Sequence, residues 1–209
     1  MPVYSSCILK RELAVSYYTN MKTTLRNPRH VLKTILLLAF VLRLAFIIML
    51  EPQGFYFSDT RHYDKAALNL LSGEGFGEKY NRAPLYPIFM ASIYFVMGHS
   101  FTAVRLAEAV LGVLLCWLVY QISIRLFRRS VALVAAFFTA VFPHFIILTG
   151  ILYSTHLFTL LLAGSILALL AAEERKSIWF LMLSAVFAGL ATLTIPSMFF
   201  VLPFWMLWM

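Results

Sequence analysis

The sequence TILLLAFVLRLAFIIML at residues 34–50 is followed by the polar stretches SDTRHY at residues 58–63 and NRAPLYP at residues 81–87. The first run is apolar and about as long as a helix needs to cross a membrane. The two polar stretches therefore begin a few residues beyond a membrane exit. Polar side chains gathered at that depth cost free energy unless they bind or react with something there, so this loop is the first candidate for a functional site.

The composition places the chain among integral membrane proteins. Hydrophobic residues make up 62% of the 209 residues and charged residues 12%, which is not the balance of a soluble domain. The formal net charge of +8 does not indicate a nucleic-acid partner, because the basic residues gather at the ends of apolar runs, where they orient a membrane protein. Cys7 in a polar tail and Cys116 in an apolar run predict neither a disulfide nor a zinc site.

The order of apolar runs predicts an all-α membrane protein with a cytoplasmic basic segment at residues 1–33 and a transmembrane domain at residues 34–209. After the first span we expect an outer loop at about residues 51–100, then spans near residues 103–124, 131–152, 155–171 and 177–195, and a last run from residue 197. Residues 85–98 are too short to cross and predict an interfacial helix in the outer loop. This topology returns Arg125, Arg128 and Arg129 to the cytoplasm, as the positive-inside rule favours.

Both ends of the sequence carry expectations. Met1 and Met21 are both candidate start residues, because Met21 opens a conventional basic start. The last run stops after Trp208 and Met209 with no polar exit, so we expect the amino-terminal portion of a longer protein. The membrane expected is the inner (plasma) membrane, with the amino terminus in the cytoplasm and the outer loop on the opposite face.

Asp59 and Arg82 are the chemistry-bearing residues of the outer loop. A guanidinium grips phosphate through a planar set of N–H donors, and an ionised carboxylate can accept the proton of an attacking hydroxyl. One base suffices if the leaving group is a phosphate, which needs electrostatic stabilisation and no acid. The alternative is structural: Asp59 caps the helix that follows, and Arg82 anchors the loop at the headgroups.

Two further charged positions lie inside apolar runs. Glu108 and Arg105 stand three residues apart, so we expect a local ion pair on one helix face. Arg43 lies within the first span and is expected to face other helices or a polar cavity.

The outer-loop pattern DxxxYxxAAxNLLxGxGF at residues 59–76, with RAPLYP at residues 82–87, resembles the polytopic GT-C glycosyltransferases. It is most similar to the bacterial branch related to protein O-mannosyltransferases, aminoarabinose transferases and rhizobial lipopolysaccharide glycosyltransferases. The likeness continues through AVRL at residues 103–106 and GLATLTIP at residues 189–196 and covers about residues 34–209.

The resemblance implies an inverting transferase. It would move a sugar from a polyprenyl-phosphate donor to a lipid, glycan or protein acceptor at the outer face, with Asp59 as general base. Arg82 and Tyr86 would contact the lipid phosphate and the sugar. No metal site is assigned and the need for a divalent metal is left open, since a single histidine beside the motif is not a metal site. The further candidate substrate-binding residues are Tyr63, His62 and His156.

Three departures from the family pattern keep other functions open. Thr60 replaces a second carboxylate, Thr155 stands where many relatives have an acidic residue, and Ile195 precedes a proline where an arginine is frequent. They favour, as the alternative, a truncated or degenerate non-catalytic relative that binds lipid or a membrane partner. A transporter is less consistent with the sequence, which has no paired broken helices and no chain of intramembrane ionisable groups.

Overall fold

The computed structural model describes residues 28–52, 54, 56, 58–77 and 80–197. Within these residues the chain is helical and has no strand, which confirms the all-α membrane fold. Residues 1–27 of the expected basic segment at residues 1–33, and all but the first residue of the last apolar run expected from residue 197, lie outside the described part. The helices are α1 Pro28–Ile48, α2 Ser58–Ser72, α3 Leu85–Met97, α4 Phe101–Leu126, α5 Arg129–Val141, α6 Pro143–Ile151, α7 Thr155–Arg175 and α8 Ile178–Thr194.

Three of the described helices are long and apolar enough to cross a membrane. They are His30–Ile48 within α1, the whole of α4 and the whole of α7, in agreement with three of the predicted spans. The shorter α3 and α8 are apolar helices of 13 and 17 residues. The interfacial position of α3 and the crossing by α8 therefore stay predictions.

The segment expected to span near residues 131–152 is bent, because α5 and α6 are two helices that meet at an angle of 44° at Phe142. That the pair crosses the membrane as one span stays a prediction. Phe142 has φ −64° and ψ 119°, an extended conformation that residues before proline favour. Pro143 then starts α6, where its missing N–H costs nothing. Pro143 marks this break in the sequence. The length and the apolar composition of the run indicate its environment but not the direction of the backbone.

Helix α4 is the centre of the bundle and packs against α1, α3, α5, α6 and α7. Towards the outer loop, a core of aromatic and aliphatic side chains joins α2, α3, α4 and the start of α7. At the other end, small residues of α5 pack closely on α1 and α4. Helix α8 is joined to α7 by Ser165 and Ser184, each hydroxyl donating to the other residue's carbonyl at 2.9 Å.

Arg43 is fully buried between α1, α4 and α5, which agrees with the expectation that it faces other helices. Its Nη1 donates to the carbonyls of Ala39 at 2.9 Å and Ala140 at 3.3 Å. The guanidinium lies against Gly112 of α4, where a Cβ atom would collide with Nε of Arg43. Gly112 therefore makes the room that a buried arginine needs inside the bundle.

Replacing Gly112 by alanine is expected to destabilise the fold by about 1–3 kcal/mol, since overpacking displaces Arg43 from the Ala140 carbonyl. The matched control is Gly189→Ala in α8, where a Cβ atom meets nothing within 4 Å. That control should be neutral or stabilising, because alanine favours a helix over glycine by roughly 0.5–1 kcal/mol. Thermal unfolding of both variants in detergent checks this, and equal unfolding temperatures would contradict the role of Gly112.

Arg105 joins three parts of the outer end of the bundle. Its guanidinium donates to the carbonyls of Glu51 at 2.7 Å, Gly54 at 2.9 Å and Gly150 at 3.0 Å. The side chain thereby ties the exit of α1 and the end of α6 to α4. The expected ion pair between Arg105 and Glu108 is wrong, because backbone carbonyls of other segments satisfy the arginine.

Candidate active site

Asp59 and Arg82 form an ion pair in the outer loop, with Nη1 of Arg82 2.6 Å from Oδ2 of Asp59. Asp59 lies in the first turn of α2, where a negative charge suits the helix dipole. Arg82 lies in the short segment before α3. The side chain of Asp59 is 19% exposed and that of Arg82 is 30% exposed, so a ligand can reach the pair from the protein surface. The structure thus brings together the two residues on which the sequence argument depends.

The environment keeps Arg82 positively charged. Partial burial lowers the pKa of its guanidinium, but the hydrogen bond and the negative charge of Asp59 outweigh that effect and raise the pKa overall. Arg82 is therefore a permanent cation with a partly exposed side chain. A guanidinium has five N–H donors, and a pair through one nitrogen leaves donors for a bound anion.

The aromatic ring of Tyr63 lies against this pair on its buried side. Its ring lies 5.9 Å from Cζ of Arg82, and its hydroxyl is 3.3 Å from Oγ of Ser154 at the start of α7. The edge of the ring packs on Tyr86 at a centroid distance of 5.0 Å. Tyr63 therefore connects α2 to α3 and to the start of α7.

Tyr86 lies behind Tyr63 and is fully buried, so in this conformation it does not reach the outer surface. Burial raises the pKa of its hydroxyl well above the usual value, and the nearby Glu108 carboxylate raises it further. The hydroxyl therefore stays protonated.

Glu108 and His156 make a second pair, which is fully buried in the interior of the bundle. Nδ1 of His156 lies 2.8 Å from Oε2 of Glu108, and both side chains are 0% exposed. The angles are not those of a hydrogen bond. At a separation of 2.8 Å the imidazole and the carboxyl group are nevertheless in direct polar contact, so the two residues form a pair. Glu108 therefore has a partner on α7 rather than on its own helix.

Asp64 is a carboxylate that the sequence argument did not single out. Its Oδ1 accepts from the hydroxyl of Tyr94 at 2.8 Å and lies 2.9 Å from Nε2 of His99. Burial and the Asp64 charge raise the pKa of Tyr94. The signal was the helical spacing of Thr60, Tyr63 and Asp64, which share the buried face of α2. Asp64 links α2 to the turn between α3 and α4.

His62 does not contact the Asp59–Arg82 pair in any described hydrogen bond or ion pair. It lies instead at the edge of a groove of about 810 Å³ on the outer side of α2, which we name the outer groove. No group of three potential metal ligands occurs in the part of the chain that the structure describes. The side chains that line the outer groove include His62, Lys65, Asn69, Glu74, Phe76 and Tyr80.

Comparison with known protein families gives one match. The model described as dolichyl-phosphate-mannose-protein mannosyltransferase matches residues 81–209. The matched range includes Arg82, Tyr86, Glu108 and His156, and it begins after Asp59. No curated protein and no solved structure shows significant similarity to the chain.

Proposed function

The chain belongs to the dolichyl-phosphate-mannose-protein mannosyltransferase family, membrane glycosyltransferases of the GT-C type, and from this premise we propose the reaction that it performs. It moves a sugar from a polyprenyl-phosphate donor to a lipid, glycan or protein acceptor at the outer face of the inner membrane. The observation that supports the proposal most is the accessible ion pair of Asp59 and Arg82, since it joins a base to a phosphate-binding cation.

Asp59 acts as the general base in this proposal. An acceptor hydroxyl oxygen attacks the anomeric carbon from the side opposite the phosphate, so the configuration inverts. The hydroxyl proton passes to a carboxylate oxygen of Asp59. The bond from the anomeric carbon to the phosphate oxygen breaks, and the electron pair stays on the released polyprenyl phosphate. Because Arg82 contacts Oδ2, the other oxygen of Asp59 is oriented by the pair and is the one we assign to the hydroxyl.

Arg82 binds the donor phosphate and stabilises the charge that the phosphate gains as the bond breaks. Tyr63 supports the guanidinium from behind, and its link to Ser154 keeps that support in place. Tyr86 and His156 belong to the layer below, so they act on the substrate through the position of Tyr63. This assignment revises the direct sugar contact that the resemblance implied for Tyr86.

Arg82→Lys is expected to raise the KM for the polyprenyl-phosphate sugar by about tenfold to hundredfold, because lysine keeps the charge but loses the planar set of donors. The measurement is sugar transfer in membranes that contain the protein, at several donor concentrations. Unlabelled polyprenyl phosphate should compete less well with the variant. A fall in kcat with unchanged KM would contradict a binding role for Arg82.

A further inference from the structure

Specific contacts hold the loop of the outer groove against α2. The N–H of Glu74 donates to the carbonyl of Asn69 at 2.9 Å, which folds the loop back on α2. Gly77 has φ +88°, and a Cβ atom there would lie 2.6 Å from Nδ2 of Asn69. Glycine at this position therefore allows the loop to lie directly on the helix.

Two aromatic rings form one side of the outer groove. Phe76 and Tyr80 stack with their centroids 5.3 Å apart and an angle of 19° between the ring planes. The hydroxyl of Tyr80 donates to the carbonyl of Ala83 at 2.8 Å, which closes the chain around Arg82. Both aromatic side chains are half-buried, so the pair is held in place and is still partly open to a ligand.

The outer groove and the proposed catalytic base lie along the same face of α2. Asp59, His62, Ala66 and Asn69 follow the helical spacing of one face of α2, and the last three line the groove. On the opposite side, Tyr80 precedes Arg82 by two positions in the sequence. Neither Asp59 nor Arg82 lines the groove, but the end of the groove at His62 lies about one helical turn from Asp59 along α2. That is the place from which an acceptor hydroxyl would approach.

The lining indicates the chemical class of that acceptor. Imidazole, ammonium, amide and carboxylate groups line the groove and offer hydrogen-bond donors and acceptors for hydroxyls. The rings of Phe76 and Tyr80 offer faces for C–H groups. A lipid chain would need a more uniformly apolar lining than these charged and amide groups provide.

We propose that the outer groove binds a saccharide acceptor, an inference that rests on the proposed function. Its volume of about 810 Å³ lies within the range of small-molecule sites, about 300–1,000 Å³. His62 and Asn69 bind the hydroxyls of the sugar, and the aromatic pair packs against a ring face. The hydroxyl nearest Asp59 is the one that attacks the donor.

The test is saccharide binding by the purified full chain in lipid nanodiscs, measured by saturation-transfer NMR. The probes are methyl α-mannoside, α-1,6-mannobiose, N,N′-diacetylchitobiose and maltotriose. We expect at least one to bind, and His62→Ala and Phe76→Ala each to raise its Kd by about tenfold. His62 is an exposed helix residue, so its variant also tests the groove if Phe76→Ala disturbs the loop. The matched control is Phe95→Ala, an 81% exposed phenylalanine of α3 outside the groove.

The outcomes distinguish a failure of the saccharide proposal from a failure of the proposed reaction. If the groove binds saccharide but the unchanged chain transfers no sugar, the proposed function fails and the groove stands. If the chain transfers sugar while no probe binds, or while the groove variants bind as well as Phe95→Ala, the saccharide proposal is overturned. Transfer of labelled sugar only to protease-sensitive product also overturns it.

Discussion

Asp59→Asn is expected to abolish sugar transfer, with kcat lower by about 10²–10⁴-fold and the protein level in the membrane unchanged. Asparagine has nearly the same shape as aspartate, but its amide does not accept the proton of the attacking hydroxyl. The KM for the donor should not rise, because Arg82 loses a competing partner and keeps its charge. The measurement is transfer from a labelled polyprenyl-phosphate sugar in membranes, with kcat and KM determined separately.

Glu51→Gln is the matched control for this prediction. Glu51 is an exposed residue of the same loop, and Arg105 binds its backbone carbonyl rather than its side chain. The same chemical change there should leave transfer unchanged. Full activity of Asp59→Asn would refute the assignment of the base. If the unchanged chain binds polyprenyl phosphate but shows no transfer under any donor concentration, the non-catalytic alternative explains the protein better.

The second large effect is expected for the buried pair. Replacing either Glu108 or His156 by leucine should destabilise the protein by about 3–5 kcal/mol, since the remaining polar group stays buried without its partner. Replacing both by leucine should restore most of that loss, because two apolar side chains of similar size leave no buried polar group. The measurement is thermal unfolding in nanodiscs, with the three variants analysed as a double-mutant cycle.

Glu174→Leu is the control for this cycle. Glu174 is paired with Arg125 at 3.3 Å on a surface where both side chains are partly exposed, and such pairs contribute about 0–1 kcal/mol. Its loss should therefore change the unfolding temperature little. Additive losses at Glu108 and His156, with a double variant less stable than either single one, would show that the two residues do not act as a pair.

Several features of the site were predictable because they depend on local spacing. The position of Asp59 and Arg82 in one outer loop follows from the order of polar and apolar segments, and both ends of the loop lie close because α2 and α3 pack together. Asp64 was predictable in the same way, because it lies on the buried face of α2, but it was not among the predicted site residues.

Other features were not predictable, because spacing within one helix does not show what another helix offers. Arg105 and Glu108 stand three positions apart on one helix, a spacing that allows an ion pair. In the folded protein Arg105 instead donates hydrogen bonds to carbonyl oxygens at the end of α6 and beyond α1. The carboxylate of Glu108 contacts His156. These partners are 45 or more residues away along the chain, so only the folded bundle brings them into contact.

The sequence by itself determined the fold class, the three long apolar helices and the polar outer loop. These follow from hydrophobic length and charge, which act on each segment separately. Only the tertiary structure decided which polar atoms meet: Asp59 with Arg82, Glu108 with His156, and Arg43 with the space at Gly112. The physical reason is that a buried polar group takes whichever partner the packing of the helices places within hydrogen-bond distance, and that packing depends on all helices at once.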